Sequence, residues 1–219
     1  MPKVSEAHRC NRKRQILDAA IECFARQGFQ RTTIEDIIRE SDLSAGAIYS
    51  YFENKEEIIE TLADERHERE ERLIEEALRN GEWPRSLRIL FKSFYESIAE
   101  SNQRKERRLG IHLWSEALCN PRILKMVRRG INQPLKLLSD AIAREQSNGQ
   151  LPATLNPDAT ARILIALFHG LILQQAWDER TDVAAFVKTA QAMVAAYLSS
   201  TATAHTAKIR KLAAVEPVR

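Results

Sequence analysis

The sequence predicts an all-α protein, and three observations carry that prediction. The 219 residues hold only seven glycines and seven prolines, with many Ala, Leu, Ile, Glu and Arg. Apolar residues recur at three- and four-residue steps along most of the chain. No segment of useful length alternates with the two-residue period of a strand, and there is no internal repeat. A composition of 44% hydrophobic and 29% charged residues is that of a soluble globular protein. The length suits one large domain or two small ones, each able to bury a core.

A first helix is predicted over 12–27, where Ile16, Leu17, Ala20, Ile21 and Phe24 share one face. Gly28 fits the left-handed stop after it, and Phe29 can fold back onto the helix. Thr32 followed three residues later by Glu35 has capping-box spacing, opening a second helix with Ile34, Ile37 and Ile38 turned inward. Ser41-Asp42-Leu43 forms the next turn. Aspartate tolerates a left-handed backbone better than most non-glycine residues, so Asp42 is its expected pivot. Ser44 caps a third helix with Ile48 and Phe52 inward. Asn54 caps a fourth, with Glu56 and Glu57 in its first turn.

That fourth helix is long, running to about residue 79 and ended by Gly81. Ile58, Ile59 and Leu62 serve the N-terminal helices, while Leu73, Ile74, Ala77 and Leu78 serve the next domain. The polar stretch 64–72 between them suits a bridge. Further helices are punctuated by Trp83-Pro84, Asn120-Pro121, Asn148-Gly149 and Asn156-Pro157. Each Asn-Pro pair reads as an N-cap followed by proline at the first helical position. Pro134 should kink or divide its helix. The expected organisation is a head over 1–55, a larger helical domain over 56–200, and a flexible tail over 201–219.

The stretch 32–55 says most about function. A short helix, a tight turn and a second short helix with small and aromatic polar residues outside can present that helix to the DNA major groove. The net charge of +3 permits nucleic-acid binding without demanding it. The N-terminal arm holds Lys3, Arg9, Arg12, Lys13 and Arg14 against Glu6 alone, a cluster that can lie along phosphates or stay solvated. Lys55 is a cation at a helix start, which is mildly unfavourable. It invites a reason such as a nearby phosphate, the alternative being a merely solvated lysine.

Two late segments bear on assembly. Residues 159–176 are apolar nearly all round, and Val183, Phe186, Val187, Ala190, Met193, Val194, Tyr197 and Leu198 make a broad stripe on the following helix. One neighbouring layer cannot cover both. Burial against a second copy through 159–198 would give a four-helix interface between protomers. A fully internal core helix is the alternative.

Over about 14–62 the chain resembles the TetR family of one-component bacterial transcriptional regulators. The resemblance rests on the apolar run 16–24, Gly28-Phe29 before Thr32-Thr33-Ile34, and Ile48-Tyr49-Ser50-Tyr51-Phe52 with Asn54-Lys55. Beyond that it lies in helix order, in His112-Leu113-Trp114-Ser115-Glu116-Ala117-Leu118 and in the apolar penultimate helix. It implies an all-α fold: an N-terminal three-helix helix-turn-helix DNA-binding domain, then a larger helical ligand-binding and dimerisation domain. By the same resemblance Thr33 starts the second helix at a phosphate contact, and Ser44, Ala45, Gly46 and Ala47 open the recognition helix. Tyr49, Tyr51 and Lys55 occupy its usual contact positions. Two departures stand out. Ser41-Asp42 replaces a common Ala-Gly, and Ala47 replaces a common threonine, leaving few groups able to read base edges. The implied function is sequence-specific regulation of transcription. A ligand-responsive repressor would bind a palindromic operator as a homodimer and be released by a small hydrophobic or amphipathic effector.

Candidate effector contacts are Phe91, Tyr95, His112, Trp114, Phe168 and His169, on helices that would surround a cavity in the larger domain. Aromatic residues at helical spacing are also what an ordinary core needs. The chain has no His-Glu-x-x-His, no phosphate-cradling glycine loop and no nucleophile elbow, so no catalytic residue, metal ligand or cofactor is expected. Cys10, Cys23 and Cys119 are odd in number and widely spaced, with neither a zinc nor a disulfide pattern. The apolar run 163–173 is too short for a bilayer and the N-terminus does not read as a signal peptide, so a cytoplasmic protein is expected. Its expected partners are a double-stranded DNA operator, a small-molecule effector and a second copy of itself, with no membrane.

Overall fold

The computed structural model describes residues 6–79, 83–99 and 104–213; Lys3, Gly81 and 214–219 lie outside them. Among the described residues every regular element is a helix: α1 Glu6–Arg31, α2 Ile34–Ser41, α3 Ala45–Tyr49, α4 Lys55–Leu78, α5 Trp83–Ala99, α6 Arg104–Glu116, α7 Pro121–Ser147, α8 Pro157–Trp177 and α9 Val183–Ala213. α1 starts at Glu6 rather than near Arg12, with that acid in its first turn, where the helix dipole favours it. Gly28 breaks α1 at φ 78°, ψ 170°, and Phe29 turns back onto Phe24 with ring centroids 5.9 Å apart. The capping box falls one residue later than Thr32 and Glu35. Thr33 accepts from the Asp36 N–H, and the Asp36 carboxylate accepts from the Thr33 N–H. Thr32 is drawn away instead, donating its hydroxyl to the Gly28 carbonyl.

Asp42 is left-handed at φ 54°, ψ 33°. Ser44 accepts from the Ala47 N–H, and Asn54 from the Glu57 N–H. Asn120 and Asn156 cap α7 and α8 ahead of their prolines. α7 passes through Pro134 undivided. Leu135, Leu138, Ala141 and Ile142, all buried in one core, hold the following half of the helix in place. α9 continues to Ala213, past the point at 201 where the expected tail begins.

Packing divides the chain into two compact units. The first takes α1 to α3, α4 as far as Arg69, α6, and α7 as far as Gly130; the second takes the rest. α4 thus changes unit within its polar stretch 64–72. This division by packing runs differently from 1–55 and 56–200, because Leu109, Leu113, Ala117, Ile123 and Met126 join the core of α1 to α4. Two glycines let α4 in closely. Arg66 fills the space a side chain at Gly110 would need, and His67 does the same at Gly130. In the second unit Ile74, Ala77, Trp83, Leu90, Leu138, Leu164 and Val194 share a separate core.

The run 163–173 is too short for a bilayer, yet the helix containing it is 21 residues long and apolar enough to cross one by length and composition. Its apolar residues divide between two faces. Ala161, Leu164, Ile165, Leu171 and Ile172 are buried, while Ile163 and Trp177 are 55% and 75% exposed.

Candidate nucleic-acid interface

The first unit builds a small platform from local signals. Gln15 of α1 donates to the Ser41 carbonyl at 2.7 Å, fixing the turn between α2 and α3. Ile48 and Phe52 are buried beneath α3 and anchor it. Ser44, Ala45, Gly46, Tyr49 and Ser50 are left on the outside, and Ala47 is half-buried. Nothing lies within 4 Å of where a side chain at Gly46 would sit, so a surface can approach the backbone there. Tyr49 is 51% exposed. Tyr51, by contrast, packs half-buried against the core. Thr33 is exposed at the N-terminus of α2.

Asp36 does double duty at that terminus. Its carboxyl is held below the usual carboxylate range, first by the Thr33 N–H and further by Gln27, the Thr33 side chain and Arg39. A depressed pKa contributes stability above the unfolded value and loses it as pH falls through the folded one. The capping box therefore weakens only on acidification below the ordinary carboxylate range.

Lys55 has a reason internal to the protein. Its ammonium donates to the carbonyls of Phe29 and Thr32 at 3.0 and 2.9 Å, and stands 4.4 Å from the centroid of the Phe29 ring. Phe29 follows the Gly28 break and Thr32 stands between α1 and α2, so the ammonium ties the connection between these helices to the start of α4. A cation unfavourable at the start of its own helix is thus satisfied by two carbonyls of the connection before α2. Lys55→Met keeps the stem over Phe29 and removes the donors. It is expected to destabilise the protein by about 1–3 kcal/mol, read as a lower midpoint in urea unfolding with an unchanged slope. An unchanged midpoint would remove this structural role.

The effector candidates fall into two groups. In the second unit Phe91 and Phe168 line an apolar cleft with Leu90, Phe94, Leu164 and Phe186. The cleft measures about 340 Å³ including its open mouth, yet its interior has room for about one water. Phe94 and Phe168 close it, stacked with centroids 4.3 Å apart. His169 stands beside Phe168 at 6.0 Å, and Tyr95 is half-buried on α5. His112 and Trp114 belong to the first unit instead. His112 lies against Gly28, and Trp114 lies under the Arg66 guanidinium at 5.8 Å. Sequence reasoning counted Phe186 and Val187 only toward assembly, whereas both line the cleft. Periodicity alone does not separate them: Phe186 lies within about 20° of Met193 and Tyr197 around the helix, yet those two are exposed. No group of three or more His, Cys, Asp or Glu able to hold a metal occurs among the described residues.

Comparison with known proteins gives these features a context. Residues 16–62 match bacterial regulatory proteins of the tetR family, and residues 90–200 match the C-terminal domain of BetI-type transcriptional repressors. The HTH-type transcriptional regulator TtgR of Pseudomonas putida is 28% identical over 163 residues, covering 72% of this chain and 77% of its own length. YfiR of Bacillus subtilis, an uncharacterised HTH-type regulator, is 46% identical over 68 residues, a third of its own length (33%) and 29% of this chain. Among solved structures, SmeT of Stenotrophomonas maltophilia in complex with triclosan superposes with a TM-score of 0.73 at 27% identity, over 85% of this chain and 91% of its own.

Proposed function

Because the chain belongs to the TetR family of bacterial transcriptional regulators, we propose that it represses transcription in the cytoplasm by occupying a palindromic operator as a homodimer. The observation that carries this reading is the outer face of α3, raised on a well-packed head with Tyr49 exposed and Gly46 open to close approach. Thr33 and Ser44 would meet phosphates, the Ala47 methyl a thymine methyl, and Tyr49 the backbone or a base edge. Tyr51 and Lys55 would act chiefly by holding α3 and the start of α4 in place, with the third Lys55 donor left for phosphate.

The exposed face of α8 (Ile163, Ala166, Gln174, Trp177), with Met193 and Tyr197 on α9, supports pairing with a second copy. A dimer would set its two α3 segments in successive major grooves about 34 Å apart.

The apolar cleft supports a hydrophobic or amphipathic effector. SmeT offers a parallel, since its structure holds triclosan. An effector would have to part Phe94 from Phe168, and Phe91, Tyr95 and His169 would border the space so opened. Ligand would then favour a state whose α3 segments mismatch the groove spacing, with a coupling of about 1–3 kcal/mol being typical. The test is release of operator-bound protein by a panel of fatty-acyl, aromatic and cationic compounds. Release by apolar or amphipathic members, lost in Phe168→Asp, is expected. Release only by a compact, highly charged metabolite would overturn the effector reading.

A further inference from the structure

The buried stripe of α1 runs through Ile16, Leu17, Ala20 and Phe24. Stepping back from Ile16 by three residues and then four, the same face carries Lys13 and Arg9. Both are exposed. At about 1.5 Å per residue, Arg9 stands some 10 Å beyond Ile16, two turns ahead of the core. The inward face of the helix therefore continues past the core as a cationic one.

The other basic residues of these turns are occupied. Arg14 pairs with Asp18 at 2.6 Å and with Glu65 at 3.0 Å, and Arg12 donates to Gln15. Among the described residues Arg9 and Lys13 have no ion pair or hydrogen bond of this kind; Lys13 stands 5.9 Å from the centroid of the Phe52 ring. Phe52 lies just beyond α3, three residues after Tyr49. Lys13 thus stands near the C-terminal end of α3, the end that carries the exposed Tyr49.

We propose that Arg9 and Lys13 form a second contact with duplex DNA, taking backbone phosphates beside those met by α2 and α3. This rests on the DNA-binding reading above. Charge complementarity selects phosphate, and the nearness of Lys13 to α3 selects the duplex that α3 engages. The contact is one of position and affinity, since phosphates carry no sequence.

Three proteins are compared on a selected operator: the natural chain, Arg9→Ala with Lys13→Ala, and Arg14→Ala. Each phosphate contact adds about 0.9 to the slope of log affinity against log salt. The double variant should lower that slope by about 2 per protomer and leave the preferred sequence unchanged. Arg14→Ala also removes a cation from the same turns, and should leave the slope as it is. An unchanged slope in the double variant, or an equal fall per charge in Arg14→Ala, would overturn the proposal. A natural chain that selects no operator would instead remove the reading on which it rests. Circular dichroism of all three keeps loss of helix apart from loss of contact.

Discussion

Arginine in place of Ile163 is expected to split the protein into monomers and to lower operator affinity at least about 100-fold. Ile163 is 55% exposed in the single chain, so the substitution leaves each protomer's core alone. In the proposed dimer the same patch occurs twice, once from each copy. A charge introduced there would be taken out of water against the apolar residues of the other copy. Removing such a charge from water costs several kcal/mol, and two-fold symmetry applies that cost twice. One head alone would then face a two-part operator. Sedimentation velocity reads the mass, and an unchanged melting temperature at low concentration confirms the protomer. An intact dimer would place the assembly surface elsewhere.

Removing the Tyr49 side chain as Tyr49→Ala should lower operator affinity by roughly 10- to 100-fold per half-site, at about 1–3 kcal/mol for a lost specific contact. The side chain is 51% exposed, and its neighbour Ile48 anchors α3. Stability is therefore expected to change by no more than about 0.5 kcal/mol. Tyr49→Phe separates the two halves of the contact: the ring packs on sugar or base, and the hydroxyl reaches phosphate. Fluorescence anisotropy with operator and with scrambled duplex measures both affinity and specificity. Full affinity in Tyr49→Ala would take α3 out of the interface.

Much of the fold was legible because its signals are local. Gly28, Asp42, Ser44, Asn54, Asn120 and Asn156 each act on backbone within four residues, and each does what its chemistry dictates. The capping box was misplaced by one residue because two threonines stand side by side, and only the Gly28 carbonyl decides between them. What lay beyond reading was tertiary. Lys55 finds its acceptors 23 and 26 residues away in sequence. Nothing in its neighbours separates a lysine waiting for phosphate from one satisfied by carbonyls between two earlier helices. His112 and Trp114 were aromatic and helical, but only packing shows that α6 joins the first unit. Arg66 and His67 read as solvated members of a polar bridge, yet each fills a notch at a glycine more than 40 positions on. The stripe on α9 was visible as apolar. Its division into a face lining the cleft and a face left exposed needed the neighbouring helices.

The central claim is that this protein reads a two-part DNA sequence through α3. Selection of bound sequences from random duplex DNA, repeated at two salt concentrations, tests it most directly. The account predicts one recovered palindrome at both, with half-site centres about one helical turn apart and affinity falling steeply as salt rises. Weak, salt-sensitive binding with no recovered motif would contradict it and leave the exposed face of α3 to another partner.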